Sequence, residues 1–365
     1  MLSYKLSQIC GSVYKRGNIL YTSDGNRLLS PVNNRVTMLD LLSNKCLCLD
    51  LQARSNIFRM AISPDDKILV VVDIEGYAII FNLPKNIELS RFNFRGKVKD
   101  IQFSPDGRYI AACNDTTLRI FEAPPNTKEM SPLVLHRKYT HLHNDKITTI
   151  AWSPDSRFLV TGSKDLTVKM LSLHSIPDYI PFVLSAHRKP ILNCYFASDM
   201  SKLYVVSKDK SITIWSWTDE RSEGFQKRLE FTQHQKGKRL KLDKSNNYEK
   251  REFSTDTFSE FEKKVTEGRW FLEKTEKFDH PNAKLTDAQF CREANLLLIG
   301  FSDGVFSLHN LPDCTTLHTL SVATHKINTL AINSSGEWLA MGSTPLGQLL
   351  VWEWKSETYI IKQQS

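Results

Sequence analysis

The 365-residue chain has no apolar run long enough to cross a bilayer, so it offers no candidate membrane helix. Its opening residues, Met1-Leu2-Ser3-Tyr4-Lys5, are too polar to begin a secretory signal. Cysteine is sparse. The seven residues, at 10, 46, 48, 113, 194, 291 and 314, are odd in number, scattered, and form no Cys-x-x-Cys pair. Most sit in strand-like apolar contexts, and Cys46 and Cys48, two apart on one strand, should face the same side of a sheet. Such a set reads as buried reduced thiols of an intracellular protein, not as a disulfide framework, metal centre or redox site. No Walker loop, Rossmann glycine pattern, zincin helix or nucleophile elbow occurs. Nothing therefore supports an enzyme, and no cofactor, metal, small-molecule substrate or membrane partner is expected.

What the chain does have is a pattern that recurs seven times. An alternating apolar strand enters a small turn, a second strand follows, and a third ends in an aromatic or aliphatic residue and a polar one. The plainest copies are Phe103-Ser104-Pro105-Asp106-Gly107 leading to Phe121-Glu122, and Trp152-Ser153-Pro154-Asp155 leading to Leu171-Ser172. Aligned turn positions fall at Thr22, Ser63, Ser104, Ser153, Ala197, Cys291 and Asn333, at intervals of 41, 41, 49, 44, 94 and 42 residues. Five of the six intervals sit near the ~40–45 residues of one four-stranded propeller blade. The spacing predicts an all-β, seven-bladed β-propeller of the WD-repeat type, a single domain over 1–365. Blade cores are expected at about 17–51, 57–92, 98–136, 147–184, 191–217, 283–320 and 327–362. The long interval marks a charged, partly flexible insertion at 218–282, between blades five and six.

Within a unit, the inner strand alternates, as in Ile147–Trp152. The middle strand is nearly all apolar, as in Ile68–Val72, and reads as buried on both faces. In the turns, Pro fixes φ, Asp bonds its own backbone and Gly permits positive φ. Unit five also carries His187 ahead of its inner strand, Ser207 and Asp209 at the end of its middle strand, and Trp215 six residues beyond. Residues so spaced are expected to form a hydrogen-bonded structural network through the blade. Unit four keeps His143, Ser163 and Asp165 but has Leu171 in place of Trp. The set repeats with the blades and lacks an elbow, so it is fold chemistry and not a hydrolase triad. Tyr4–Ile9 and Thr358–Lys362 compete for the outer position of the last blade, and the N-terminal strand is expected to close the ring there. The abrupt end at Lys362-Gln363-Gln364-Ser365 leads us to expect a longer parent protein.

The insertion is rich in Lys, Glu, Asp and Asn, with little apolar periodicity before Arg269-Trp270-Phe271-Leu272. Its densest basic run holds Lys236, Lys238, Arg239 and Lys241, candidates for RNA-phosphate or nuclear-import contact; a solvated loop is the alternative. The formal net charge of +8 leans weakly toward a polyanionic partner. Between blades, His136, His141 and His143 gather in one loop without the fixed spacing that metal ligation demands.

Two stretches are more specific than the repeat. One runs from Gly11-Ser12-Val13-Tyr14-Lys15-Arg16-Gly17-Asn18-Ile19 through Ser30-Pro31-Val32-Asn33-Asn34-Arg35-Val36. The other spans Ile332–Trp338 and Leu346-Gly347-Gln348-Leu349-Leu350-Val351-Trp352-Glu353-Trp354. Together they resemble the N-terminal part of the periodic tryptophan protein 2 family, eukaryotic ribosome-assembly factors, and the resemblance covers essentially the whole chain outside the insertion. It implies the first of two tandem propellers in a non-catalytic nucleolar scaffold of the small-subunit processome. That scaffold would position other WD-repeat ribosome-assembly factors, pre-ribosomal RNA and small nucleolar RNA for 18S rRNA maturation. The alternative is a WD-repeat peptide receptor, such as a ubiquitin-ligase adaptor or chromatin reader, which would gather its residues at the mouth of the channel.

Overall fold

The computed structural model describes residues 17–127, 132–176, 179–218, 268–280, 283–321 and 325–363. Among these, 28 strands form seven antiparallel sheets of four, and no helix occurs. Blade one runs from β1 (Leu20–Tyr21) to β4 (Lys45–Cys48), and blade two from β5 (Ile57–Ile62) to β8 (Ile87–Asn93). Blade three spans β9 (Val98–Phe103) to β12 (Leu135–Tyr139), and blade four β13 (Ile147–Trp152) to β16 (Phe182–Ser185). Blade five spans β17 (Ile191–Phe196) to β20 (Arg269–Lys277), blade six β21 (Leu285–Cys291) to β24 (Thr315–Ser321), and blade seven β25 (Thr329–Ile332) to β28 (Thr358–Gln363). The seven-bladed propeller expected from the spacing is the fold.

The turn chemistry shows why the first two strands of a blade reverse where they do. Ser63 Oγ donates to Asp65 at 2.6 Å and accepts the Ile68 amide at 2.9 Å. Ser104 repeats this with Asp106 and Tyr109, and Ser153 with Asp155 and Phe158. Thr22 does so with Asp24 and Arg27, while Asn333 Oδ1 accepts the Trp338 amide at 3.0 Å. A short side-chain acceptor thus serves five of the seven reversals, those of blades one to four and seven, and Gly107 supplies a φ of +72°.

Every side chain of β6 (Ile68–Asp73) is buried, as the unbroken apolar run predicts for a strand covered on both faces. Seven apolar clusters result, one at each interface between neighbouring blades, including one that joins blade seven to blade one through Leu28, Leu39, Leu349 and Val351.

Two boundaries differ from the sequence expectation. The outer strand of blade five, β20, comes from inside the segment assigned to the insertion, where Trp270 pairs with Trp217 and Leu272 with Trp215. The chain leaves blade five after β19 (Ser211–Thr218) and returns to complete it, so the charged residues separate strands three and four of that blade. Trp270 also packs against Phe196 and Trp217, which is the apolar reward for the return. In blade seven the edge of β27 (Gln348–Glu353) is taken by β28 and not by the N-terminal strand: Val351 pairs with Ile361 and Glu353 with Thr358. Tyr4–Ile9 lies outside the described residues.

Candidate functional site in the central channel

The inner strands line the channel, and polar side chains stitch each to the next. The Asn18 amide group donates to Met60 O at 2.9 Å and accepts the Met60 amide at 2.7 Å. Arg59 Nε donates to Lys99 O at 2.8 Å, Asp100 accepts the Ile150 amide at 2.9 Å, and Thr148 Oγ1 donates to Ile191 O at 2.9 Å. Asn193 donates to Ala288 O, and Asp287 accepts the Leu330 amide at 2.8 Å. Six of the seven interfaces are joined this way. At the seventh, Ser334 Oγ donates to Ser23 O at 3.2 Å.

This wall holds two half-buried carboxylates, Asp100 and Asp287. Burial drives the Asp100 pKa up, opposed by the Arg59 guanidinium and the Ile150 amide. Burial likewise raises Asp287 to about 6, opposed by the Leu330 amide and Arg59. The Arg59 charge therefore bears on both acids, and sequence reading missed all three. Their one signal is a charged residue inside an otherwise alternating inner strand.

The mouth at which the inner strands begin, here the upper one, is cationic. Lys97 Nζ lies 4.2 Å from the centre of the Phe58 ring, the Arg59 guanidinium 5.0 Å and Lys99 Nζ 5.6 Å, so three cations gather around one aromatic ring. Lys99 is lowered to about 8, first by burial and then by the charges of Arg59, Lys208 and Lys97. Lys208 reaches this field from blade five, across the mouth. Neither Lys99 nor Lys208 makes a carboxylate ion pair among the described residues. Beyond burial, the like charges gathered around Lys99 disfavour its protonated form.

The lower mouth is partly closed. Arg292 from blade six crosses to donate to Trp152 O of blade four at 2.7 Å, and Trp152 Nε1 donates to Gln102 O of blade three at 3.3 Å. Beside it, a cleft of about 350 Å³ between blades three and four is lined by Arg108, Tyr109, Arg157 and His174.

The polar set of blade five divides into two. His187 Nε2 meets Thr213 Oγ1 at 3.3 Å, and Trp215 Nε1 donates to the same oxygen at 3.0 Å. Asp209 instead accepts from the Ser211 hydroxyl at 2.5 Å and the Ser211 amide at 3.1 Å, while Ser207 Oγ donates to Lys189 O at 3.0 Å. Burial pushes the Asp209 pKa up, but the hydroxyl and amide bonds from Ser211 help to outweigh it and the carboxyl is held low. The single network expected from His187, Ser207, Asp209 and Trp215 is thus corrected. Thr213 is the hub of one half, and His187 Nδ1 has no hydrogen-bond partner. Burial lowers His187 to about 4, keeping it neutral. In blade four, where Leu171 replaces the Trp, His143 Nδ1 bonds Asp165 at 3.0 Å and Nε2 bonds Thr161 at 2.9 Å. These bonds close on one another, and none leaves a nucleophile facing an open pocket.

Lys236, Lys238, Arg239 and Lys241 lie outside the described residues. His136 packs on Tyr109 and His174, away from His143, and the described residues contain no group of His, Cys, Asp or Glu arranged to hold a metal. Cys46, Cys113, Cys194 and Cys291 are buried as expected. Cys48 is exposed because it stands at the open end of the outer strand β4.

Comparison with known proteins agrees with this geometry. The signature "WD domain, G-beta repeat" matches residues 89–122, 135–171 and 180–216. The Myceliophteria thermophila Cps50 (Swd1) β-propeller domain superposes with a TM-score of 0.67 over 95% of this chain and 99% of that one, at 11% identity, a likeness of fold alone. Periodic tryptophan protein 2 of Saccharomyces cerevisiae is 36% identical over 99% of this chain and 37% of its own length. The homologs of Schizosaccharomyces pombe and Mus musculus are each 35% identical over 99% of this chain, which covers 39% and 40% of them. The chain spans about two-fifths of the length of these curated relatives. With the seven blades and whole-chain similarity in hand, the chain belongs to the periodic tryptophan protein 2 family of WD-repeat propellers.

Proposed function

We propose that this propeller is a non-catalytic assembly platform in ribosome biogenesis. It would work in the nucleolus, holding WD-repeat assembly factors, pre-ribosomal RNA and small nucleolar RNA within the small-subunit processome. Membership of the family supports the process. The observation that carries the RNA part is the cluster of Arg59, Lys97, Lys99 and Lys208 at the upper mouth. Phosphates placed there would offset the mutual repulsion that, after burial, lowers Lys99, and Phe58 lends the cluster an aromatic wall. Backbone contacts of this kind position RNA without reading its sequence. WD-repeat propellers are generally non-catalytic, and the rigid stitched ring suits a part whose work is to hold neighbours in fixed geometry.

The test is binding of a single-stranded RNA oligonucleotide to the full chain across a salt series. Reversing Lys97, Lys99 and Lys208 to Glu together is expected to weaken affinity at least about tenfold and to flatten the salt slope by about two to three. Reversing Lys236, Lys238, Arg239 and Lys241 in a separate variant apportions the effect between mouth and insertion. Unchanged salt-dependent affinity in both variants would sink the RNA reading. Recovery of ligase subunits or histones without pre-ribosomal RNA, when the full-length parent is purified from its own cells, would put the peptide-receptor reading in its place.

A further inference from the structure

Blades four and five fill one equivalent position with an imidazole, and blade two leaves it open. His143 and His187 each stand four residues before the first residue of their inner strand, Ile147 and Ile191. Register carries the comparison to the other blades. Ile147 pairs with Ser163, Ile191 with Ser207 and Ile57 with Asp73, so the residue of blade two in the histidine position is Ala53. In blade three the same count reaches Phe94, whose ring packs against Phe92 and Phe121. Ala53 alone among these four contributes no ring. The space it fails to fill is a cleft of about 200 Å³, walled by Ala53, Tyr77, Ala78, Ile79 and Phe92 and floored by Asp73.

The floor has an unmet valence. Asp73 is 1% exposed. Its Oδ1 accepts the amides of Glu75, Gly76 and Tyr77 at 2.9–3.0 Å, but its Oδ2 has no hydrogen-bond partner. A buried carboxylate oxygen left so is destabilising. The two cations at the rim do not meet the need. The Arg54 guanidinium lies over the Tyr77 ring at 4.4 Å, and Arg91 is held by Glu88 at 2.6 Å. Their charge makes the cleft unwelcoming to a third cation, while the apolar walls accept a flat neutral ring with one N–H.

We propose that the blade-two cleft is a receptor slot for the imidazole of a partner protein's histidine, which donates its N–H to Asp73 Oδ2 and takes the place that His143 and His187 occupy in their own blades. The partner supplies in trans what the repeat lost in cis. The slot opens on the same upper side as the cationic mouth, because β5 begins and β6 ends there, yet it involves none of the residues tested for RNA. It therefore stands or falls independently of the proposed function.

Imidazole itself is the probe. Titrated into the full chain and followed by backbone amide shifts, it should bind saturably in the millimolar range, as a five-atom ligand can, with shifts centred on Glu75, Gly76 and Tyr77. Ala53→His should refill the slot from within and weaken that binding at least about tenfold, without loss of thermal stability. If Ala53→His does not fold, Ala53→Val, which blocks the slot with apolar volume only, should give the same loss. Absence of saturable shifts in the parent chain would overturn the proposal, as would equal binding by a folded Ala53→His or Ala53→Val chain. Tighter binding of guanidinium than of imidazole would overturn the choice of ring.

Discussion

At the scale of the residue, this protein uses buried imidazoles as neutral hydrogen-bonding spacers. His187 serves Thr213, and His309 bonds Ser307 at 2.8 Å beside the Phe278 ring. Burial lowers both to about 4. The folded value is then below the ordinary 6.5, so the unfolded chain takes the proton first as pH falls. The associated stability is complete above about 6.5, drains away as pH drops toward 4, and is flat below, a loss on the order of 3 kcal/mol for each histidine. Asp287 works in the opposite sense. Its folded pKa is raised to about 6, so its charged form is a burden that disappears as pH falls from there toward 4. Comparing parent and His187→Gln by urea unfolding at pH 7 and pH 5 isolates the histidine. The variant is expected to lose less stability between the two, and an identical loss would show that His187 does not titrate in this window. Its identity was legible from spacing, whereas its partner was not. Thr213 is one of several strand hydroxyls, and only the turn of the ring toward it distinguishes this one.

At the scale of the element, backbone approach limits what the loops tolerate. Gly76, in the turn after β6, has a φ of +94°, and a Cβ there would lie 2.1 Å from Gly96 O in the loop that leads from blade two to blade three. Neither glycine belongs to the repeating turn, and nothing in the sequence announces that they touch. Gly76→Ala should destabilise the chain by more than about 2 kcal/mol, since it combines a left-handed backbone with a clash against a carbonyl that cannot rotate away. A shift of the urea midpoint smaller than that of a surface Gly→Ala control would contradict the contact. The strands themselves were readable wherever periodicity was strong, and least so where it was weak. β20 was concealed because its sequence, Arg269–Lys277, follows Trp270-Phe271-Leu272 with a mostly charged run that has no period-two apolar pattern, and most of its side chains are exposed, as an outer strand allows. β28 was misjudged because either chain end has enough β-branched and aromatic residues to fill an edge.

At the scale of the whole molecule, the described residues close the ring by packing. Each described blade is assembled from strands consecutive in the chain, so blades seven and one meet through side chains: Leu28 and Val351 are fully buried there and Leu349 nearly so. Leu28→Ala should cost about 2–5 kcal/mol, as core deletions do. Because it lies at the seam, it should also speed amide exchange in the second strand of blade one and in β27 before it affects blades three to five. An even increase around the ring would mean that the seam is no weaker than the other six interfaces.

Repeat number, blade length and turn chemistry were determined by the sequence alone, because each depends on residues within five or six positions of one another and recurs often enough to be counted. So was the family, carried by the stretches around Tyr14 and Trp352. The channel was decided only by tertiary structure. Arg59, Lys97, Lys99 and Lys208 come from three blades, and Asp73 and Ala53 become a slot only when β5, β6 and the loop before them are brought into register. A linear pattern records which residues exist at which period. The charges and cavities that could bind a partner arise from summing single, non-repeating residues around an axis that only the closed ring defines.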